Sequence, residues 1–300
     1  MNAQYKRDFL RAGALACQVL SYGKTLIKKG ASYNAIIAKV RQKIIELGGR
    51  PAFPPQIALS QVAAHFLPAP GEEIILSDEL VKLDVGVCYN GAIGDSATTV
   101  DLSGKHQGLI ESAESALLAA EQSIQVGQKV SDIGRIIETT IASYGYKPIK
   151  NLSGHGLGPN KIHTSPNIPN YEDKSTAIIR PGMTFAIEPF ATTGKGSVYE
   201  AGNPMIFSFA RDRPLSSKSA HALLEKIKAF QGLPFAIHDL LEASSPLLET
   251  KFILAELLHA GIIIGYPPLV EEGHGMVAQA ENSVLVDEKG EVFVTTRLDK

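Results

Sequence analysis

Two aspartates stand in a stretch of the chain that otherwise has the pattern of buried β-structure. Residues 80–101 are rich in valine and contain Asn90-Gly91 near their middle, a pair typical of a two-residue hairpin turn. With that turn, Gly86 lies opposite Asp95, and Asp84 shares their face because side chains alternate along a strand. We therefore expect two carboxylates as diagonal neighbours, with backbones roughly 7–8 Å apart, and open space beside Gly86. That arrangement suits two metal ions roughly 3.5–4 Å apart.

The hairpin alone also fits two ordinary surface aspartates, since aspartate is common beside turns. Two observations favour burial and a bound cation. The neighbours Val85, Val87, Ala92 and Ala97 are apolar, and no lysine or arginine lies between the two aspartates. Because buried carboxylates need a cation, this part of the sequence favours a metal as their partner.

Three further residues extend this set. Glu188 interrupts the apolar stretch MTFAIEPF, Glu281 opens the strand-like ENSVLV, and His155 lies in SGHGLG, where glycines permit close approach of a ligand. A single strand glutamate is usually a solvated edge residue, and a single neutral histidine often serves in a core. Together with Asp84 and Asp95, however, the set contains four carboxylates and one imidazole, which match an oxygen-rich site for two metals.

The remaining histidines and the cysteines are sorted by their neighbours. His65 and His163 each have apolar neighbours, although each alone also fits a structural role. Cys17 and Cys88 are distant from each other and lack the CxxC spacing, so any metal must be held by nitrogen and oxygen. The GHGLG segment lacks the longer glycine fingerprint of a nucleotide-binding loop.

The elements that must position these residues recur in the same order. Two helices precede a group of strands, and this order occurs twice, which indicates an internally duplicated α+β architecture. The predicted helices are 3–28, Ser32 to Gly48-Gly49, 106–125 and 131–144, and the predicted strands lie in 80–101, around Gly154, and at 183–190, 281–287 and 291–296.

Residues 207–265 have a different pattern, with leucine, isoleucine and phenylalanine at helical spacing and prolines at intervals. We interpret this stretch as a small helical insertion between two strands. It contains six Lys or Arg and six Asp or Glu. A balanced charge of this kind gives no basic surface for nucleic acid.

Composition limits the classes of function. The chain has 300 residues, of which 44% are hydrophobic and 20% charged, as in a globular protein with one large or two ordinary domains. A net charge of −2 gives no general attraction to nucleic acid or anionic membranes. The N-terminus lacks an apolar signal core, and the apolar run at 262–264 is too short to span a bilayer. We therefore expect a cytoplasmic protein without membrane contact.

The ordered set of five candidate ligands resembles the metal ligands of the methionine aminopeptidases, within the creatinase-like "pita-bread" fold. Short sequence segments match as well: FPPQIALSQVAAH, KLDVG, GDSATT, NLSGHGLG, IHTSPNIP, FAIEPF, TTGKG and AENSVLV. The resemblance runs from about the first helix to the last strand. The insertion is similar to the winged-helix-like insert of the type II enzymes, and the chain resembles their short archaeal form. It implies a catalytic domain of residues 1–206 and 266–300 with an insertion subdomain of 207–265.

The resemblance also implies how the ligands divide between two metal ions. Asp95 and Glu281 would bridge both ions, Asp84 would complete one, and His155 with Glu188 would complete the other. Oxygen-rich ligands with one imidazole accept Co, Mn, Fe or Zn, and affinity alone does not choose among them.

Further roles follow from the same resemblance. Glu188 would shuttle the proton from the attacking water to the leaving amine, His163 would donate a hydrogen bond to the oxyanion, and His65 would position the scissile amide. The pocket for the methionine side chain would be formed by Phe53 and Ile162, with Tyr266 as a further candidate. Ordinary packing is an equal interpretation for Phe53 and Tyr266.

The resemblance implies an enzyme that removes the initiator methionine from nascent polypeptides. It suggests a monomer in transient contact with the ribosome at most. One alternative is an Xaa-Pro-type metallopeptidase on the same fold, a group that typically carries an extra N-terminal domain. The other is a non-catalytic relative that binds RNA or protein, a group that loses metal ligands.

Overall fold

The computed structural model of the chain describes residues 1–215, 217–241 and 247–297. Residues 216 and 242–246, which fall within the predicted insertion, lie outside the described part, as do residues 298–300. Within the described part, no helix is both long enough and apolar enough to cross a membrane.

The first two helices begin where the sequence supplies caps. Asn2 accepts a hydrogen bond from the N–H of Tyr5, and Ser32 accepts one from the N–H of Ala35. The four helices predicted before residue 145 are present, with ends that differ from the prediction by at most two residues. The helices are α1 (Ala3–Leu26), α2 (Tyr33–Glu46), α3 (Gln107–Ser123), α4 (Val130–Ser143), α5 (Lys218–Lys228) and α6 (Leu247–His259), with a 3₁₀ turn at Ile237–Asp239.

The strands of the described residues form several small sheets. In chain order they are β1 (Arg50–Pro51), β2 (Gln56–Leu59), β3 (Val62–Ala64), β4 (Leu80–Tyr89), β5 (Ala92–Asp101), β6 (Lys147–Pro148), β7 (Ser153–Gly158), β8 (Lys161–Pro169), β9 (Thr184–Ile187), β10 (Phe190–Thr192), β11 (Val198–Glu200), β12 (Ile206–Phe209), β13 (Phe235–Ala236), β14 (Ile263–Tyr266), β15 (Leu269–Glu271), β16 (Val277–Gln279), β17 (Asn282–Val286) and β18 (Val292–Val294). Two of these sheets matter most for the site, one ordered β1-β4-β2 with β5 beside β4, and one ordered β18-β17-β9-β7-β8.

The β4–β5 hairpin has the predicted register. Asn90 and Gly91 both have positive φ, 50° and 85°, as the mirror-image hairpin turn requires. Gly86 pairs with Asp95, and Asp84 pairs with Ala97. The two aspartates are therefore diagonal neighbours on one face, and this part of the prediction is confirmed.

Helix α1 crosses this hairpin at very close range, and glycine makes the approach possible. A Cβ atom at Gly94 would lie 2.4 Å from the carbonyl oxygen of Ala12, and one at Gly13 would lie 2.4 Å from Thr295 Oγ1. Both distances are well below ordinary contact. Gly13 therefore lies within a helix because any larger residue would push the helix off the sheet.

The second half repeats the order of the first. Helices α3 and α4 pack on each other and on the strands that follow them, around a core that includes Leu109, Ile137 and Phe185. The two halves meet where a backbone bridge joins Ala97 beside Asp95 to Glu281 beside β17. The strand β8 in this half was not predicted, since its proline-containing sequence lacks a clear alternation.

The segment predicted as a helical insertion also contains strands. Its helices α5 and α6 cover a small sheet ordered β13-β12-β14, and the apolar side chains between them form a separate core that includes Phe207, Ile227 and Leu257. Asp239 in this segment is ion-paired with Arg41 on α2. Contacts of this kind fix the segment against the rest of the molecule.

Candidate metal centre

The five candidate ligands come from distant parts of the chain and meet at the seam between its halves. Their positions are β4 for Asp84, β5 for Asp95, β7 for His155, the break between β9 and β10 for Glu188, and the residue before β17 for Glu281. Glu188 therefore ends a strand where the sequence suggested that it lies within one. All five line one cavity of about 250 Å³.

The ligand atoms form two overlapping groups within the described residues. Atoms of Asp95, His155 and Glu281 lie within 4.8 Å of one another, and so do atoms of Asp84, Glu188 and Glu281. Glu281 belongs to both groups, as a bridging carboxylate should. Glu188, which the resemblance assigns to the same ion as His155, here groups with Asp84.

The carboxylates of this cluster are buried with oxygens left unpaired. Asp95 and Glu281 are each only 2% exposed. Asp84 Oδ1, Asp95 Oδ1 and both carboxylate oxygens of Glu281 have no hydrogen-bond partner among the described residues. An unpaired buried carboxylate is costly. Bound divalent cations would satisfy these oxygens, so the residues fit a pair of metal ions.

The one lysine buried beside this cluster is already used elsewhere. Lys82 lies on the same strand as Asp84 and is 0% exposed. Its Nζ donates hydrogen bonds to the carbonyl oxygens of Ser60 and Val277, each at 3.0 Å. None of the ion pairs found in the described residues joins a lysine or arginine to the candidate ligands. Within the described residues, no cationic side chain is ion-paired with these carboxylates, so a bound metal ion is the fitting source of positive charge.

The pKa values of the four carboxyl groups in the absence of metal also indicate that the cluster needs positive charge. Burial raises the pKa of Asp84 to about 7. Burial first, and then the charge of Asp84, raises the pKa of Asp95. The pKa values of Glu188 and Glu281 are raised by burial and then by the neighbouring carboxylates. Four mutually repelling carboxylates are stable in their charged form only beside added positive charge.

His155 is suited to be a neutral ligand. Burial, followed by the nearby His163, lowers the pKa of His155 to about 3. Its Nδ1 lies 3.4 Å from the carbonyl oxygen of Gly156, and its Nε2 lies 3.8 Å from Asp95 Oδ2. A proton on Nδ1 that points to Gly156 leaves the lone pair of Nε2 facing the carboxylates.

Several residues that support the ligands were missed in the sequence. Gln56 Nε2 donates to Asp84 Oδ2 at 3.2 Å, and Gln279 Nε2 donates to Glu188 Oε1 at 3.0 Å. Both glutamines are nearly fully buried in strands. Their signal was an amide side chain inside an apolar strand, the same irregularity that pointed to the carboxylates.

Two further histidines and a tyrosine stand at the rim of the cavity. The ring centroids of His155 and His163 are 4.4 Å apart. The ring centroid of Tyr266 lies 5.5 Å from that of His65 and 6.2 Å from that of His163. His65 and His163 both have positive φ, 62° and 60°, a costly conformation for residues other than glycine. Burial, and then His163, lowers the pKa of His65 to about 4, and burial lowers that of His163. The rings are therefore neutral near pH 7.

Phe53 and Ile162 belong to the apolar part of the lining, which also includes Ala64, Leu152, Phe190, Ile206, Pro234 and Leu269. The space beside Gly86, expected to be open, is filled by the ring of Phe53, and a Cβ atom at Gly86 would lie 2.2 Å from Phe53 Cε1. That expectation was wrong, because the ring comes from a segment far from the hairpin in sequence. The cavity is lined by all ten candidate site residues: Phe53, His65, Asp84, Asp95, His155, Ile162, His163, Glu188, Tyr266 and Glu281.

Comparison with known proteins gives consistent relatives. The model of metallopeptidase family M24 matches residues 7–288. A methionine aminopeptidase from Thermococcus onnurineus is 40% identical over 294 residues, which cover 97% of this chain and 99% of that protein. A solved methionine aminopeptidase from Thermotoga maritima has a TM-score of 0.71 at 20% identity, covering 99% of this chain and 98% of that one. A thermophilic Arx1 has a TM-score of 0.85 at 12% identity, covering 100% and 92%.

These matches extend over nearly the whole chain. The structural likenesses show a shared architecture, and the expected pita-bread fold is confirmed. Enzymes of this family use divalent metal ions, and the carboxylate and histidine groups described above can hold two of them. The chain belongs to metallopeptidase family M24.

Proposed function

We propose that this chain is a metal-dependent aminopeptidase that removes the N-terminal methionine from polypeptides. The observation that carries the proposal is the cluster of four carboxylates and one histidine, in which buried carboxylate oxygens lack partners. Curated relatives with 34–40% identity over nearly the full length bear the name methionine aminopeptidase. A non-catalytic relative is expected to have lost some of the metal ligands. This chain has all five candidate ligands, which favours an enzyme.

In this proposal, two ions would be held by Asp84, Asp95, His155, Glu188 and Glu281, with Asp95 and Glu281 serving both. The close grouping of Asp95, His155 and Glu281 supports their assignment to the same ion. The position of Glu188 beside Asp84 makes its ligand role the point to test. A titration of Glu188→Gln with Mn²⁺ should give weaker binding of one ion and unchanged binding of the other.

When bound, two divalent ions supply a water that is acidic enough to attack at neutral pH. Glu188 accepts the proton of that water and passes it to the leaving amine. The hydrogen bond from Gln279 to Glu188 Oε1 holds the carboxylate in place for this transfer. Neutral His163 donates a hydrogen bond to the carbonyl oxygen as negative charge develops on it. His65, whose ring centroid lies 5.5 Å from that of Tyr266, positions the scissile amide.

The side chain of the first residue lies among Phe53, Ile162 and Tyr266. Methionine suits this lining because its thioether is flexible and makes favourable contacts with aromatic rings. The ring of Phe53 is fixed against Gly86, which limits the depth of the pocket. Long unbranched side chains are therefore accepted more readily than branched ones.

The proposal includes a cytoplasmic monomer that meets nascent chains and contacts ribosomes briefly at most. Its ions are Co, Mn, Fe or Zn. Sedimentation analysis tests the monomer, and cosedimentation with ribosomes at low and moderate salt tests the contact.

The decisive experiment is methionine release from the peptide Met-Gly-Met by purified protein, after chelation and again after Mn²⁺, Fe²⁺ or Co²⁺ is restored. Asp95→Ala should abolish release, whereas Asp78→Ala, which changes an exposed carboxylate, should not. Release from Xaa-Pro peptides but not from Met-Gly-Met would favour the alternative peptidase. No release from any peptide with any ion, by folded protein, would contradict the proposal.

A further inference from the structure

A second cavity adjoins the metal centre. The cavity at the metal centre holds about 250 Å³, below the roughly 300 Å³ at which ligand pockets usually begin. This volume accommodates the first residue of a peptide but not an extended peptide. The neighbouring cavity holds about 460 Å³ and shares Ile162, His163, Pro234 and Tyr266 with the first. We call this second cavity the exit groove.

The exit groove runs between two different parts of the fold. One wall is the turn before β8 and its first residues, 159–164, and the other is formed by residues 208–210 and 231–232 of the insertion segment. Strand β8 is at the edge of its sheet among the described strands. An edge strand presents backbone N–H and C=O groups without partners, to which an extended peptide can be added.

The side chain of Arg50 links the two walls of the exit groove and so fixes its width. Arg50 Nη2 donates to Asn160 Oδ1 at 2.7 Å and to Gln231 Oε1 at 2.8 Å. Asn160 belongs to the first wall and Gln231 to the second. Because one guanidinium spans both walls, the groove is already formed in the free protein and needs no closure.

We propose that the exit groove binds the main chain of the substrate polypeptide beyond its first residue. The inference rests on the function proposed above. A substrate whose first residue is enclosed must leave the cavity as a continuous chain, and the shared residues His163 and Tyr266 stand at the rim, where the two cavities join. The insertion segment would then take part in substrate binding, since it supplies the second wall.

The lining indicates what the groove recognises. Among the described residues, its permanently charged side chain is Lys161, and the hydroxyls of Ser208 and Tyr266 are bonded to each other at 2.9 Å. Few side-chain groups are therefore free to read a sequence. The backbone of β8 therefore provides most of the recognition. The groove accepts peptides of many sequences, and its binding depends more on peptide length than on amino-acid composition.

The test compares peptides of two lengths on a variant with a filled groove. Ala210 is exposed in the lining and lies outside the metal cavity, so Ala210→Trp should block the groove alone. Ala255→Trp, on an exposed position of α6, is the matched control. The wild-type protein should give a higher kcat/KM with a Met-Gly hexapeptide than with Met-Gly-Met. Ala210→Trp should lower the hexapeptide value about tenfold, which corresponds to ~1.4 kcal/mol, and lower the tripeptide value much less, because the tripeptide has only two residues beyond its first.

A second measurement needs no variant. A hexapeptide with a photoreactive phenylalanine analogue at its fourth residue should crosslink to residues 208–210 or 231–232. Crosslinks confined to Asn151 or Asn167, which line the metal cavity but not the groove, would overturn the inference. So would equal effects of Ala210→Trp on both peptides, or no effect of length. Failure of the proposed function would look different, because then the wild-type protein would release methionine from neither peptide.

Discussion

Ser283 is hydrogen-bonded to both backbone groups of Asp95. The N–H of Asp95 donates to Ser283 Oγ at 2.8 Å, and Ser283 Oγ donates to the carbonyl oxygen of Asp95 at 2.9 Å. From the other side, Ser96 Oγ donates to the carbonyl oxygen of Glu281 at 2.9 Å. Two serines thus join the halves of the molecule beside the two carboxylates that we propose as bridging ligands. Their hydroxyls set the spacing of those ligands.

Replacing Ser283 should therefore weaken both the fold and the metal centre. Ser283→Ala leaves two buried backbone groups without a partner, which should cost about 1–3 kcal/mol in the free energy of unfolding. Metal affinity should fall as well, because Asp95 is no longer held beside Glu281. Urea denaturation of the metal-free protein and Mn²⁺ calorimetry measure the two effects. Ser143→Ala, at an exposed helix end, is the control, and equal metal affinity in the two variants would contradict the positioning role.

The register of the hairpin and the residues that gather at the candidate metal centre were predictable for physical reasons. Alternation has a period of two, so the Asn90-Gly91 turn determines every pair of β4 and β5. Charged residues inside apolar strands indicated the ligands, since burial of a charge requires a partner. The two-helix order also followed from periodicity alone. Each of these signals is contained within a short stretch of sequence.

What could not be predicted depends on contacts between distant segments. A serine in a strand does not indicate that it bonds to a backbone nearly two hundred positions away, as Ser283 does to Asp95. The packing of Phe53 on Gly86 depends in the same way on how two segments meet. Strand β8 was missed because its prolines obscure the alternation, although its edge position makes them tolerable.

Gln279 should matter for the rate of reaction more than for binding. Its backbone is held by Thr99, whose hydroxyl donates to the Gln279 carbonyl oxygen and accepts from the Gln279 N–H, and its side-chain amide donates to Glu188 Oε1. Gln279→Leu removes the bond that orients the proposed proton carrier. We expect kcat to fall at least about tenfold, part of the ~10²–10⁴ that general acid–base catalysis contributes, with KM unchanged.

Steady-state kinetics with measured metal content check this expectation for Gln279→Leu. Gln42→Leu on the exposed face of α2 controls for loss of an amide. A change in KM alone, or metal loss sufficient to explain the lower rate, would contradict an orienting role for Gln279.

Stability of the metal-free protein should decrease as pH rises. The pKa of Asp84 is raised to about 7 in the folded state from an ordinary value of 3.8, and those of its three carboxylate neighbours are raised too. These carboxyl groups bind more protons in the folded state, so their stabilisation is complete below pH 4 and is lost as pH rises through 7. The lowered pKa values of His65, His155 and His163 have the opposite effect below about pH 6.5, so the net decrease is expected from about pH 7 upward. The loss should be on the order of a few kcal/mol.

Urea denaturation of chelated protein between pH 5 and 8 measures this dependence. Asp84→Asn should flatten it, because a neutral amide has no charge to bury, whereas Asp78→Asn at an exposed position should leave it unchanged. Saturating Mn²⁺ should remove the decrease, since bound cations stabilise the charged carboxylates. A metal-free protein that becomes more stable from pH 7 to 8, where the histidines are neutral in both states, would contradict the proposed cluster.

The pair Gly86 and Phe53 allows a test of pocket shape by double substitution. Gly86→Ala places a methyl group where the Phe53 ring now lies, so the ring must move into the pocket. We expect a loss of about 1–3 kcal/mol in the free energy of unfolding from overpacking and a higher KM for Met-Gly-Met. Phe53→Leu in the same chain makes room for the methyl group and should restore part of the stability. If the two substitutions were simply additive in denaturation and in KM, the ring would not be what fills the space beside Gly86.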